Sequence, residues 1–318
     1  MVQIFHYTDP SPTNVELAEH KASTYRWTPR ETAILRAVYA YRALTTPQID
    51  TLLFPATRGR TSTEPSSRCR HRMKLLAAEE YIYRREQPQL LSEGRKHYVY
   101  FLAPRGAAKL AGLDGLFPEQ LDWRNGEYDV GWPFLDHLLA TNDVRIAITV
   151  AAHVRGLTLS VWHDDRTLKR HHAKETVVLT GPQGGTQRAT VIPDGYFVLE
   201  DGPYRRHHFL EVDRRTETGA ATTWGRRDWV RKVAAYMEYH YSGKYLARYR
   251  TRSMRVLTVT TGEKRLANLK AITEKVGGRS RFWFTTFDRM TPDTALTKPI
   301  WNVAGRSERS SILDDSRS

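Results

Sequence analysis

The stretch ATVIPDGYFVLEDGPYRRHHFLEVDRR, residues 189–215, restricts the fold more than any other part of the chain. Its two apolar runs, 189–199 and 207–213, are rich in β-branched and aromatic residues, which suit a pleated, half-buried backbone. Between them stands Asp201-Gly202-Pro203, turn chemistry that reverses the chain. An antiparallel hairpin follows.

Residues 158–163 and 177–179 read as further strands, antiparallel neighbours of this hairpin, separated by turn-rich text such as GPQGG. Helical periodicity marks about 133–153 before them and about 224–241 and 264–276 after them, interleaved with strands at 255–260 and 281–286. The predicted order over residues 133–302 is α, several β, α, β, α, β, an α/β (α+β) arrangement.

The N-terminal third has a different rhythm. Thr28-Pro29-Arg30-Glu31 sets an N-cap hydroxyl, a first-turn proline and a glutamate at N3, the signature of a capping box, ahead of the stripe Ile34, Leu35, Val38 and Tyr41. A second helix start at Thr46-Pro47 leads into Ile49, Leu52 and Leu53, and a third around Thr63-Glu64-Pro65 leads into Cys69, Met73 and Leu76. Two strands around 81–85 and 97–102 form a hairpin with a long tip, and 104–113 reads as a closing helix. Three helices, a hairpin and a helix make the order of a winged helix-turn-helix, placed at residues 27–115. Residues 116–132 read as a linker, and 1–26 and 303–318 as flexible ends.

At 318 residues the chain is long enough for two domains, and 49 Lys plus Arg against 35 Asp plus Glu leave a net charge of +14, which favours polyanionic partners. The third helix brings cations and polar side chains together: Ser67, Arg68, Arg70, His71, Arg72 and Lys74, preceded by Arg58, Arg60 and Ser66. Arg84, Arg85, Arg95 and Lys96 would flank it from the hairpin, in positions suited to backbone contact. Double-stranded DNA is the predicted partner, although a winged module that binds protein could carry the same solvated basic helix. The single Cys69 excludes a disulfide framework and a multi-cysteine zinc site and fits a reducing, cytoplasmic setting. No run approaches 18 apolar residues, and the N-terminus lacks the regions of a signal peptide, so neither membrane nor secretion is predicted. Self-association is left open.

The hairpin also carries acids. Glu211 and Asp213 are two apart and share a strand face, and the neighbouring strand could bring Asp194 beside them. Three converging carboxylates would suit Mg²⁺ (or Mn²⁺) and phosphodiester hydrolysis. The residues alone are equally those of an ordinary hairpin with exposed acids beside Arg205, Arg206, Arg214 and Arg215.

Pro193-Asp194, followed by Glu211 in E-x-D on the next hydrophobic strand, resembles the motif of the PD-(D/E)XK nuclease superfamily, across roughly residues 133–290. The segments LDHLLATNDVRIAI, VIPDGYFVL, FLEVDRRTET and RKVAAYMEY make the whole chain similar to the plasmid replication-relaxation family. The resemblance implies a restriction-endonuclease-like α-βββ-α-β domain behind the winged helix, a metal-dependent endodeoxyribonuclease activity, and replication or relaxosome proteins as partners. It implies Asp194, Glu211 and Asp213 as metal ligands, with Lys232 on the following helix in place of the motif lysine, because position 213 holds Asp. Asn142 or Asp143 would stand near that site, with Asp136 and His137 as weaker candidates. A non-catalytic replication accessory, or a transcriptional regulator, with a degenerate nuclease fold is the alternative. His171-His172 and His207-His208 are read as strand pairs whose rings point to opposite faces and cannot share an ion. Trp224, Trp229, Tyr236, Tyr239 and Tyr241 are read as core aromatics of one basic helix, with Arg226, Arg227 and Arg231 toward phosphate.

Overall fold

The computed structural model describes residues 27–54, 64–88, 96–172, 175–181, 184–214 and 229–313. Arg58, Arg60, Arg95, Arg215, Trp224, Arg226 and Arg227 lie outside them, as does the tip of the first hairpin. The chain is a mixed α/β protein.

Helix α1 (Pro29–Tyr41) starts where the capping box predicts: the Thr28 backbone N–H donates to Glu31 Oε2 at 2.8 Å. After β1 (Leu44–Thr45), helix α2 (Thr46–Leu53) is capped by Thr45, one residue earlier than expected, because Gln48 at N3 completes a second box. Helix α3 (Ser67–Ala78) begins later than the Thr63-Glu64-Pro65 text implied. Ser66 is its cap, accepting from Cys69 N at 3.1 Å while its own N–H donates to Asp50 Oδ1 at 3.1 Å. The α2 carboxylate thus fixes the entry of α3. Strands β2 (Ile82–Arg85) and β3 (Val99–Leu102) follow, then helix α4 (Pro104–Leu113). The small antiparallel sheet has the order β1-β3-β2. Gly106 of α4 lies against this sheet's entry: a Cβ there would meet the Tyr81 carbonyl oxygen at 2.1 Å, so no larger residue lets the helix pack so closely.

Helix α5 (Trp132–Val154) leads into β4 (Thr158–Asp164), α6 (Asp165–His172), β5 (Thr176–Thr180), β6 (Thr186–Thr190), β7 (Gly195–Asp201) and β8 (Tyr204–Asp213). Helices α7 (Trp229–Tyr241) and α8 (Lys244–Tyr249), β9 (Arg255–Thr260), α9 (Glu263–Lys275), β10 (Phe282–Thr286), β11 (Trp301–Val303) and β12 (Arg309–Ser310) complete the chain. Seven strands form one sheet in the order β12-β11-β10-β9-β8-β7-β4. The β8–β9 and β9–β10 pairs are parallel and the others antiparallel.

Three expectations are corrected here. The run 189–199 is two strands, broken at Pro193, which has no N–H to give a ladder. Strands β5 and β6 pair only with each other, and β4 joins β7 directly. The tail predicted at 303–318 is structured as far as 313: β11 and β12 extend the sheet, and Val303 and Ile312 are buried with Trp283 and Leu296. The polar text around Gly305 hid these spaced apolar anchors.

Helix α5 is apolar on two sides because it serves two cores. Leu135, Leu138 and Leu139 pack with Ala43, Val99 and Phe101, and Ile146 joins the core of α1 to α4. Val144, Ala147, Ile148 and Ala151 pack on Phe197, Leu210 and Val212 of the large sheet. The preceding segment is not a free linker. Arg85 lies over Trp132 and donates to the Tyr128 and Val130 carbonyls at 2.6 and 2.8 Å, while Leu121 and Trp123 pack on the N-terminal core.

Asn142 clamps α5 to the end of α1, its Nδ2 donating to the carbonyls of Tyr41 (3.0 Å) and Ala43 (2.7 Å). These carbonyls flank a helix C-terminus, where backbone acceptors lack intrahelical partners. Asn142→Ala would take its donor from the Ala43 carbonyl, while Tyr41 O keeps the Ala43 N–H at 2.8 Å, and the expected loss is about 1 to 2 kcal/mol in urea denaturation. A loss below about 0.5 kcal/mol would mean that water replaces the amide and the clamp is dispensable.

Candidate functional site

Asp194 occupies the break between β6 and β7, just after Pro193. Its backbone N–H donates to Leu210 O at 2.9 Å, and its Oδ2 accepts from Val212 N at 2.8 Å, so β8 positions both ends of the residue. Its Oδ1 lies 2.9 Å from His137 Nε2 on α5. Burial disfavours the His137 imidazolium, but the hydrogen bond and charge of Asp194, reinforced by Glu211, outweigh it and raise the pKa above the usual histidine value. Burial likewise opposes the Asp194 carboxylate, yet His137 and Lys232 hold its pKa below the ordinary range.

Glu211 is 2% exposed near the C-terminal end of β8. A carboxylate so buried must be compensated. Lys232 Nζ donates to Oε2 at 3.0 Å and the Tyr236 hydroxyl donates to Oε1. Lys232 and Tyr236 are four apart on α7 and share one face, so both reach the same strand residue. Burial first, then the Glu211 charge, pushes the Tyr236 pKa far up, so the phenol remains a donor. Asp194, Glu211 and Lys232 are therefore brought together as the sequence predicted. Tyr236, read as core, is a polar member of the group, and its spacing from Lys232 was the available signal. His137, a weaker candidate, is in direct contact.

Asp213 does not join them. Arg265 of α9 holds it with two bonds, Nε to Oδ2 at 2.8 Å and NH2 to Oδ1 at 3.0 Å, and Thr260 Oγ1 donates to Oδ2 at 2.7 Å. Strand parity correctly set Glu211 and Asp213 on one face, but the side chain is consumed by an arginine 52 residues away. Asn142 is the interhelix clamp, and Asp143 accepts from Gln48 Nε2 at 2.7 Å, so neither serves the site. Asp136 pairs with Arg214 at 3.4 Å.

Among the described residues no group of three or more His, Cys, Asp and Glu side chains is placed to hold a metal ion. The donor set is instead two carboxylates, Asp194 and Glu211, and Mg²⁺ commonly takes one or two protein carboxylates and fills its shell with water and phosphate oxygens. The hard oxygen chemistry of this pair fits such an ion without Asp213. A small cleft of about 30 Å³, lined by Tyr41, Phe134, His137, Arg145, Trp162 and Asp194, reaches Asp194 from the side of α1.

The histidine pairs stay outside the site. His207 Nδ1 contacts the Tyr196 hydroxyl at 2.7 Å, and His208 is buried and stacked on Phe197. His171 and His172 end helix α6 and are not in a strand. On α7, Trp229 and Tyr239 are core residues and Tyr241 is exposed, while Arg231 donates to Arg188 O at 2.7 Å.

The second candidate surface is α3. Cys69, Met73 and Leu76 are buried, so Ser67, Arg68, Arg70, His71 and Lys74 face solvent. Arg72 is withdrawn from that face, paired at 2.9 Å with the fully buried Glu31 of α1. Exposed Arg84 stacks over Tyr98 at 4.4 Å, Lys96 is exposed, and Arg85 turns inward to the 116–132 segment.

Among the described residues no helix is long and apolar enough to cross a membrane. Comparison with curated proteins and with solved structures returned no match. The profile of the replication-relaxation family matches residues 35–253, from within α1 to the turn before β9. That span is more than two thirds of the 318 residues and contains α3, Asp194, Glu211 and Lys232. The chain belongs to the replication-relaxation family, which gives it a replication-related function.

Proposed function

We propose that this protein binds duplex DNA in replication, docking through its N-terminal unit as a winged helix. The observation that carries the reading is the solvent face of α3. Arg68, Arg70, His71 and Lys74 project from a helix whose other face is locked by Cys69, Met73 and Leu76 and whose entry is fixed by Ser66 on Asp50. Such a helix reads the major groove when its cations reach phosphates and its short polar side chains reach base edges. Ser67 and His71 are suited to bases and Arg68 and Lys74 to phosphates, with Arg84 and Lys96 on the flanking strands. In fluorescence anisotropy titrations with a 30-base-pair duplex, Arg68→Ala plus Lys74→Ala should reduce the slope of log K against log salt by about 2, near 0.9 per lost phosphate contact. An unchanged slope would refute docking through α3.

A second reading, for the α/β domain, has its own support. Lys232 stands 3.0 Å from Glu211, beside Asp194, so the cation that position 213 lacks arrives from α7. In a metal-dependent nuclease, Asp194 and Glu211 would hold Mg²⁺, which supplies an activated water and offsets charge on the phosphodiester. Lys232 would neutralise the attacked phosphate, Tyr236 would hold Glu211 in place, and His137 would orient Asp194. Asp213, tied to Arg265, has no part in it. Supercoiled DNA incubated with Mg²⁺ or Mn²⁺ should be nicked by the wild type, and Asp194→Ala, Glu211→Ala and Lys232→Ala should each lose at least about 100-fold at matched DNA binding. Tight binding without cutting would leave a non-catalytic replication factor.

A further inference from the structure

A second strongly charged surface lies on the α/β domain, away from α3 and from the acid site. Residues 244–255 hold Lys244, Arg248, Arg250, Arg252 and Arg255 and no acidic residue. Lys244 is engaged by the Thr176 carbonyl, and Arg255 by Trp283 and the Ile312 carbonyl. Arg248, Arg250 and Arg252 are exposed and, among the described residues, pair with no carboxylate. That contrasts with Arg36, Arg166, Arg205 and Arg289, each of which has an acidic partner. The fold adds a fourth cation: Arg281, at the start of β10, accepts from Val256 N at 2.7 Å through its carbonyl. Arg281 and Arg252 both bear on His240, whose pKa is lowered by burial first and then by these charges.

The backbone at this edge takes an uncommon conformation. Arg250 caps α8 in the left-handed conformation, φ 56° and ψ 27°, a position where glycine is usual because it has no Cβ to clash. Glycines take positive φ in this chain just beyond α5, at Gly156, and beyond α9, at Gly277. Arg42 and Glu80 also have positive φ; Arg42 pairs with Asp165 at 3.3 Å, while Glu80, like Arg250, is exposed.

We infer that Arg248, Arg250, Arg252 and Arg281 form a second nucleic-acid contact, one that grips the phosphate backbone. The inference rests on the DNA-binding reading above. The guanidinium fork matches phosphate oxygens in two-point contacts, and four such groups, bordered by Glu175 at Tyr239 but ion-paired to no carboxylate among the described residues, form a net positive, anion-binding edge. This edge is separate from the acid site. Arg255 aligns with His208 at the start of the parallel β8–β9 pair and Glu211 with Thr258, so Glu211 lies about 10 Å farther along the strands at ~3.3 Å per residue. The contact therefore positions nucleic acid and leaves base reading to α3.

The test uses the full chain, a 30-base-pair duplex and anisotropy across a potassium chloride series. Arg248→Ala, Arg250→Ala and Arg252→Ala together should lower the slope of log K against log salt by 2 to 3, at about 0.9 per phosphate. Replacing the same three by lysine should restore most of it. Arg250→Gly, which removes the strain and cannot harm the cap, should raise Tm while lowering the slope by about 1. If the triple alanine variant keeps the wild-type slope while Arg68→Ala plus Lys74→Ala lowers it, the second contact is refuted and docking through α3 stands. If the triple variant instead loses only capture of an acidic peptide, the surface serves a protein and the inference fails. If the wild type binds no duplex, the DNA-binding reading falls and takes this inference with it.

Discussion

Everything in this molecule is referred to one helix with two buried sides. Helix α5 lends Leu135, Leu138 and Ile146 to the N-terminal unit and Val144, Ala147 and Ile148 to the large sheet, so neither core closes without it. Asn142 is the polar device that fixes its register, its amide bridging the Tyr41 and Ala43 carbonyls at the end of α1. Gln48 repeats the arrangement from α2, donating to Leu139 O at 2.9 Å. One turn earlier the same helix presents His137 to Asp194. The scaffold that joins the halves thus also sets one wall of the acid site.

Charge in that site is compensated locally. Glu211 is ringed by a lysine and a phenol from one helix face, and Asp194 by an imidazole and a backbone N–H from two other elements. Every carboxylate oxygen of the pair has a donor, which is what allows two acids to sit side by side with little solvent. The phenol matters as much as the lysine: it contributes a hydrogen bond without charge, so the group is not driven to excess positive potential.

What was legible in the sequence was what short spacing controls. The Thr28 box, the residue limits of α4 and β9 and the turn at Asp201-Gly202-Pro203 follow from local chemistry or helical and strand periods, whereas Lys232 beside Glu211 was implied by the family resemblance alone. What escaped was decided by residues far apart in the chain. Asn142 looks like a site residue until the carbonyls of Tyr41 and Ala43 are in place. Strands β5 and β6 have the composition of the central sheet, yet β4 takes the place beside β7. Strands β11 and β12 are three and two residues long, too short for any periodicity to register, and they are held by Trp301 and Ile312 in a core built by distant elements.

The lock on Asp213 bears on how this site can change. Where a lysine at this position would fit the motif that the sequence resembles, the chain has an acid whose two oxygens are both engaged by Arg265. A single substitution of Asp213 by lysine would set two cations against each other where position 213 is 3% exposed. The position and its arginine therefore form a unit that must be exchanged together. The cation beside Glu211 comes from α7, from a helix face that does not disturb the Asp213–Arg265 pair.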